Sequence, residues 1–169
     1  MLGGMKTLLV LRHAKAEPEE ATSSDHERPL TKKGSKAARR MGELLREKHL
    51  VPDLVLTSTA ERARTTAELA AREAGYPSSV DLLAELYLAE PPAYLDALRR
   101  LGGEAERVLV VGHNPGIEAL IFRLTGAAEH MPTAALAECE LPITSWSELD
   151  SSVRGALQNV WRPRDIEES

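Results

Sequence analysis

Short apolar runs alternate with segments of helical periodicity along the whole chain. The first run, Leu8–Leu11, contains no polar residue and is typical of a strand that is buried on both faces. Such an alternation favours a three-layer α/β/α fold, in which helices cover a mostly parallel sheet. No repeat, low-complexity tract or Gly/Ser linker divides the 169 residues, so we expect a single domain, 1–169, with a core from about 5 to 161.

The strands and helices can be placed from periodicity and from capping residues. The predicted strands are Met5–Leu11, Leu54–Thr57, Val80–Leu83 and Arg107–Val111, followed by Leu136–Leu141 and Leu157–Trp161. The last two have a weaker alternating pattern, which suits an antiparallel edge of the sheet. The predicted helix caps are Thr31 for the first helix, a Ser58–Glu61 capping box for the second, Asn114 with Pro115 for the fourth, and Gly75 and Gly126 past helix ends.

The composition narrows the classes of partner and compartment. The net charge of −5 argues against nucleic acid as a partner, because phosphate backbones are bound by concentrated Lys and Arg. The only cysteine, Cys139, cannot form an internal disulfide, which favours a reducing compartment. The apolar segment Thr7–Leu11 is too short for a signal peptide or a membrane span. We therefore expect a cytoplasmic protein with no membrane partner.

Cationic or titratable residues follow three of the predicted strands. They occur in "VLRHAKAE", which contains Arg12 and His13, in "TSTAERARTTAEL", which contains Arg62, and in "RVLVVGHNPG", which contains His113 and Asn114. Open α/β sheets bind ligands at the edge where parallel strands end. An arginine in the first helical turn, as at Arg62, opposes the helix dipole unless an anion compensates. Together with the free N–H groups of the helix that starts near Asn114, these residues predict an anion site.

Four motifs occur along the chain in the order "LRHAKAE", "STAERARTTAEL", "LVVGHNPG" and "MPTAALAE". They resemble the motifs of the histidine phosphatase superfamily, which has the phosphoglycerate mutase-like fold, and most closely those of its SixA-type phosphohistidine phosphatases. The resemblance implies that the whole chain is one histidine phosphatase domain and that His13 becomes phosphorylated. It also implies that Arg12, Arg62 and His113 complete the phosphate pocket, to which the helix start at Asn114 adds.

Three further positions bear on the resemblance. Ala14 stands where most of the superfamily has glycine, as in many SixA-type sequences. The stretch "DHERPLTKKG" also resembles that subgroup, and we interpret its Asp25 and Arg28 as residues that shape a loop. Glu85 lies about where larger relatives carry a proton-donating glutamate. It is therefore a candidate general acid, with a surface charge at a strand end as the equal alternative.

The chemistry of these residues predicts phosphoryl transfer. A neutral imidazole can attack phosphorus, and Arg12 and Arg62 disfavour a protonated His13. No cluster has the spacing of metal ligands, so we expect no metal and no other cofactor. The segment between Arg62 and His113 leaves no room for an extra helical cap over the site. We therefore predict a metal-independent phosphatase that removes phosphate from phosphohistidine on a protein, by way of a phosphohistidine on His13.

Two alternatives stay open at this point. One is a phosphatase or mutase for small phosphomonoesters, and a mutase would need a closed pocket that keeps water from the phosphoenzyme. The other is a phosphate-binding module without turnover. Binding alone has no need of a nucleophile, so the set Arg12, His13, Arg62 and His113 argues against this second alternative.

Overall fold

A six-stranded mixed sheet forms the centre of the protein, with the strand order β3-β2-β4-β1-β5-β6. The computed structural model describes residues 4–166. The strands are β1 Lys6–Arg12, β2 Leu54–Ser58, β3 Asp81–Leu83, β4 Arg107–Gly112, β5 Leu136–Leu141 and β6 Ala156–Trp161. The first four are parallel, whereas β5 pairs antiparallel with β1, and β6 with β5. The predicted α/β fold with an antiparallel edge is confirmed, and each predicted strand lies within one residue of an observed one.

The helices lie on both faces of the sheet, as the three-layer prediction requires. They are α1 Lys32–Glu47, α2 Glu61–Ala74, α3 Pro91–Leu101, α4 Gly116–Thr125 and the short α5 Pro163–Ile166. Alternate residues of β1 divide the core into two parts, because successive strand side chains point to opposite faces. Leu9 and Leu11 pack with α1 and α2, whereas Leu8 and Val10 pack with α3 and α4. Cys139 is buried in β5.

Two of the predicted helix caps, Ser58 and Asn114, are wrong. Both side chains lie near the candidate site and make other contacts there. Thr31 does cap α1, because its Oγ1 accepts a hydrogen bond from the Gly34 N–H at 2.9 Å. However, α2 begins at Glu61 after Ala60, and no side chain caps it. Likewise, α4 begins at Gly116, and the N-cap residue is Pro115 without a side-chain bond. The side chains of Ser58 and Asn114 make long-range contacts at the end of the sheet instead.

The parallel strands β1, β2 and β4 end at one edge of the sheet, so the segments that follow them are neighbours. Arg12 at the end of β1 is opposite Gly112 at the end of β4. Gly112 is required there, because a Cβ would lie 2.0 Å from the hydroxyl oxygen of Tyr94. That hydroxyl is buried and accepts a hydrogen bond from the His113 N–H at 3.4 Å, which joins α3 to this edge. Within residues 4–166, no helix is long and apolar enough to cross a membrane. The extent of the domain, 1–169, stays a prediction.

Candidate active site

The structure brings together the four residues that the sequence places at three strand ends. His13 follows β1 directly, and its N–H donates to the carbonyl oxygen of Gly112 at 3.1 Å. The ring centroids of His13 and His113 are 5.2 Å apart. Arg62 lies in the first turn of α2 and Arg12 at the end of β1, and the charges of both act on the two histidines. His13, Arg62 and His113 are buried, with 7%, 3% and 2% of their surface exposed.

His13 is held as a neutral imidazole with its Nε2 unprotonated. Its Nδ1 lies 2.8 Å from the carbonyl oxygen of Ala14. A carbonyl oxygen can only accept, so Nδ1 carries the proton and Nε2 keeps its lone pair. Burial lowers the pKa of His13 to about 4, and the positive charges of Arg62 and Arg12 act in the same direction. The side chain is therefore uncharged at neutral pH and has a nucleophilic nitrogen.

His113 is held in the opposite tautomer by Ser58. Its Nε2 lies 2.8 Å from Ser58 Oγ, which already accepts a hydrogen bond from the Ala60 N–H at 3.1 Å. Because the buried hydroxyl must still donate its own proton, Nε2 of His113 is the acceptor and Nδ1 carries the proton. Burial, followed by the charges of His13 and Arg62, lowers the pKa of His113 to about 3. His113 is therefore a neutral hydrogen-bond donor.

The pocket contains buried donors that have no acceptor among residues 4–166. They are Nδ1 of His113, Nε of Arg12 and Nε of Arg62. The other ends of both guanidinium groups are anchored: Arg12 Nη1 donates to the Met131 carbonyl oxygen at 3.2 Å, and Arg62 Nη1 donates to the Asp25 carbonyl oxygen at 2.8 Å. Buried donors of this kind are normally satisfied, and a tetrahedral oxyanion supplies several acceptors at once. The arrangement is thus suited to bind a phosphoryl group.

Asp25 binds Arg62, and Tyr87 contacts both Asp25 and His113. The Asp25 carboxylate accepts from Arg62 Nη2 at 3.0 Å, from Arg28 Nη1 at 2.9 Å and from the Tyr87 hydroxyl. The hydrogen bond from Tyr87, with those from both arginines, holds the pKa of Asp25 well below its usual range. The ring of Tyr87 also packs edge-on against His113, with centroids 5.6 Å apart. Asp25 therefore orients a phosphate-pocket arginine besides shaping its loop.

Sequence reasoning missed Ser58 and Tyr87. The spacing of Ser58 and Glu61 predicts a helix cap, whereas the observed partner of Ser58, His113, is 55 positions away in the chain. Tyr87 has no local signal of a site residue, since its contacts are with Asp25, 62 positions earlier, and with His113. The sequence offers one signal for Ser58. A buried histidine needs a partner for its ring nitrogen, and where no neighbouring residue supplies one, a distant hydroxyl can be expected to do so.

Asn114 lies at the rim of the pocket but does not offer a side-chain donor to it. Its Nδ2 donates to the Glu118 carboxylate at 2.8 Å and to the Met131 carbonyl oxygen at 2.9 Å. These bonds use both amide protons, and the remaining Oδ1 is an acceptor, which repels an anion. A phosphate contact from Asn114 stays a prediction and would have to come from its backbone N–H.

Within residues 4–166, the Glu85 side chain makes no hydrogen bond or ion pair with any of the four pocket residues. It lies in the 3₁₀ turn Ala84–Leu86, and its exposed carboxylate pairs with Arg100 at 2.6 Å. Tyr94 contacts the pocket from the first turn of α3, and Arg100 lies six residues later, about 9 Å farther along the helix axis. The proton-donor role of Glu85 stays a prediction, and in this conformation its carboxylate is held by that ion pair. In the described part of the chain, no three or more His, Cys, Asp or Glu side chains are arranged to hold a metal ion.

Comparison with known proteins gives matches over nearly the whole chain. Residues 8–88 match the family described as Histidine phosphatase superfamily (branch 1). The SixA structure from Nakamurella multipartitia has a TM-score of 0.84 and 30% identity, and the match covers 96% of this chain and 99% of that one. A protein histidine phosphatase SixA complexed with tungstate has a TM-score of 0.78 and 28% identity, covering 95% of this chain and 99% of that one. Uncharacterized protein Rv1276c of Mycobacterium tuberculosis (strain ATCC 25618 / H37Rv) is 34% identical over 138 residues, which are 75% of this chain and 84% of that protein.

Proposed function

The chain belongs to the histidine phosphatase superfamily and has its phosphoglycerate mutase-like fold, and we propose that it is a phosphatase that forms a phosphohistidine on His13 and needs no metal ion. One observation carries this proposal. The ring centroids of His13 and His113 are 5.2 Å apart, and the rings are hydrogen-bonded through different nitrogens, His13 through Nδ1 and His113 through Nε2. The tautomers assigned from these bonds leave a lone pair on Nε2 of His13 and a hydrogen-bond donor at Nδ1 of His113. A nucleophile beside a fixed donor is the arrangement that phosphoryl transfer requires.

The proposed reaction has two displacements at phosphorus. In the first, Nε2 of His13 attacks, a P–N bond forms, and the bond from phosphorus to the leaving group breaks. In the second, water attacks the same phosphorus, the P–N bond to His13 breaks, and inorganic phosphate leaves. During both steps, Nδ1–H of His113 and the N–H groups of Arg12 and Arg62 donate to the non-bridging oxygens, where negative charge accumulates.

The acid–base groups of the site favour phosphohistidine on a protein as the substrate. Asp25 is held ionised by its hydrogen bonds, and Glu85 is engaged with Arg100, so neither is placed to protonate a leaving group at neutral pH. General acid catalysis matters less as the leaving group improves. A substrate phosphohistidine that carries a proton on its other ring nitrogen releases neutral imidazole when the P–N bond breaks, and neutral imidazole leaves more readily than an alkoxide. The similarity to SixA, a protein histidine phosphatase by name, supports the same substrate. The alternative, a small phosphomonoester, would require a proton donor for its alkoxide.

The decisive experiment compares substrates and traps the intermediate. We expect wild-type kcat/KM to be highest for a phosphohistidine peptide, lower for an aryl phosphate and lowest for an alkyl phosphate, all unchanged by EDTA. A quenched reaction should contain a phosphoprotein that is labile in acid and stable in base, with the phosphate on His13 by mass spectrometry. The His49→Asn variant, which changes an exposed histidine, should be labelled like the wild type. Faster turnover of alkyl phosphates would favour the small-molecule alternative, and a requirement for a divalent metal would exclude the proposed mechanism.

A further inference from the structure

A groove of about 840 Å³ lies beside the candidate active site, between one face of α1, from Lys33 to Glu47, and the segments 130–133 and 162–166. We call it the α1 groove. It adjoins the pocket at two points. Lys15, which lines it, is two residues after His13, and its residues His130 and Pro132 flank Met131, whose carbonyl oxygen anchors Arg12. A molecule in the α1 groove would therefore extend to the rim of the phosphate pocket.

The α1 groove is basic although the chain has a net charge of −5. Its cationic lining residues are Lys15, Lys33, Lys36, Arg40, Arg162 and Arg164. Its two carboxylates, Glu43 and Glu47, both pair with Arg40, and Arg162 pairs with Glu129 outside the groove. By contrast, the ammonium groups of the exposed Lys15, Lys33 and Lys36 have no hydrogen-bond or ion-pair partner within residues 4–166. The groove thus has a local excess of positive charge next to the active site.

The position of these lysines on α1 is unfavourable for the helix itself. Lys32 and Lys33 occupy its first two positions, Lys36 follows one turn later, and its first turn contains no acidic residue. The N-terminus of a helix has a partial positive charge, so cations there oppose the dipole. An anionic partner would compensate both the dipole and the mutual repulsion of the ammonium groups.

We propose that the α1 groove docks the acidic, helical surface of the protein that carries the phosphohistidine. This inference rests on the proposed function and adds the chemistry of the partner. His13 is only 7% exposed, so the phosphorylated side chain must protrude from its protein into the pocket. From Lys33 to Arg40 the cationic face extends about 10 Å along α1, which matches the width of a helix.

The composition and shape of the groove favour a protein as its ligand over a membrane. The lining of the groove combines apolar residues, such as Ala37, Pro132 and Ile166, with six cationic side chains. An amphipathic helix with acidic residues on one face matches both parts of this lining. A flat anionic bilayer could contact its rim but could not follow its concave floor. An acidic helix can do so, and complementary charge would increase the rate of encounter with the enzyme.

The test uses two helical peptides that carry one phosphohistidine, with either Glu or Gln at the other positions on the histidine face. For the full-length wild type, we expect kcat/KM on the acidic peptide to be at least about tenfold higher at low salt, and the advantage to shrink as salt is added. In Lys33→Glu/Lys36→Glu, we expect the KM for the acidic peptide to rise until its advantage over the Gln peptide is lost. The kcat for both peptides and the turnover of p-nitrophenyl phosphate should stay unchanged. The matched control is Arg39→Glu/Arg46→Glu, which makes the same charge change on exposed positions of α1 outside the groove, and it should keep the advantage.

Each other outcome would overturn the inference in a distinguishable way. Efficient hydrolysis of both peptides at equal rates, or an equal loss in the control variant, would remove the docking role and leave the proposed function intact. Binding of the wild type to phosphatidylserine vesicles that Lys33→Glu/Lys36→Glu abolishes, with no preference between peptides, would assign the groove to a membrane. Turnover of p-nitrophenyl phosphate without hydrolysis of either peptide would overturn the proposed substrate and the docking role together.

Discussion

The ends of β1 and β4 have the same local pattern, an apolar strand followed by a histidine, but they fix the two imidazoles in opposite tautomers. At the end of β1, the carbonyl oxygen of Ala14 accepts from Nδ1 of His13, which leaves Nε2 as a lone pair. At the end of β4, the hydroxyl of Ser58 donates to Nε2 of His113, which leaves Nδ1–H as a donor. The strand end therefore sets the position of a histidine, whereas the hydrogen-bond partner of its ring nitrogen sets whether it acts as a nucleophile or as a hydrogen-bond donor.

The two partners also differ in how they can be changed. The tautomer of His13 depends on a backbone carbonyl, which no side-chain substitution removes. Ala14 is itself held in place, because its N–H donates to Thr66 Oγ1 at 2.9 Å and the Thr66 hydroxyl donates to the Arg62 carbonyl oxygen at 2.7 Å. The tautomer of His113 depends on one hydroxyl group. This asymmetry means that the donor can be perturbed while the nucleophile stays intact.

The largest expected effect comes from removing the nucleophile itself. We expect His13→Ala to lose turnover down to the uncatalysed rate, but to keep tungstate binding in calorimetry, because Arg12, Arg62 and His113 still donate. His113→Ala should retain the nucleophile and lose about 10²–10³-fold in kcat, the usual cost of one oxyanion donor, with weaker tungstate binding. Near wild-type hydrolysis by His13→Ala would contradict the assignment of the nucleophile.

Ser58→Ala tests what fixes the tautomer of His113 while both histidines stay unchanged. Without the hydroxyl, Nε2 of His113 loses its partner, and the ring can place its proton on either nitrogen. We expect kcat to fall about 10- to 100-fold, as for other groups that orient a histidine, and the nitrogen NMR shifts of His113 to move toward the other tautomer. The matched control is Thr57→Val, a buried hydroxyl one residue earlier that donates to the Ser58 carbonyl oxygen. A Ser58→Ala enzyme with an unchanged His113 tautomer would contradict this role.

The two strand ends also predict the response of stability to acid. Both histidines have a pKa that folding lowers from 6.5, to about 4 for His13 and about 3 for His113. Above pH 6.5 both histidines are neutral in the native and in the unfolded state. As pH falls below 6.5, the unfolded chain binds them and the native state does not, so the free energy of unfolding decreases.

The size of this acid effect can be measured by denaturant unfolding. At pH 5 the decrease amounts to about 2 kcal/mol for each histidine, since one pKa unit corresponds to 1.36 kcal/mol. We therefore expect His113→Asn to lose less stability than the wild type between pH 7 and pH 5, by about that amount. Asp25 acts in a different range: its pKa is lowered, so its contribution to stability is lost only as pH falls below its ordinary value of 3.8. Equal losses in variant and wild type would mean that His113 is protonated in the native state.

The sequence was sufficient for the features that depend on near neighbours. Runs such as Leu8–Leu11 identify buried strands because hydrophobicity and length are local properties, and the left-handed residues Gly75 and Gly126 end α2 and α4 as predicted. The convergence of the strand ends follows from parallel topology alone. The capping roles of Ser58 and Asn114 were wrong for one physical reason. Each side chain has other partners in the folded state: Ser58 binds His113, 55 positions away, and Asn114 binds Glu118 and Met131. A spacing rule for helix caps contains none of these contacts.

The smallest expected effect is that of Glu85→Gln, and it sharpens the comparison because neither strand end offers a proton donor for a leaving group. Glu85 shares Arg100 with Asp96, which accepts from the same guanidinium at 2.9 Å. If the carboxylate serves only this ion pair, Glu85→Gln and its control Asp96→Asn should each change kcat by less than about twofold on every substrate, since exposed pairs contribute little. A general acid would behave differently: the loss on an alkyl phosphate would be about 10²–10⁴-fold, with an aryl phosphate intermediate and phosphohistidine nearly unaffected. We expect the uniform small effect, because a site with a nucleophile at one strand end, a neutral donor at the other and no acid is suited to leaving groups that depart without one.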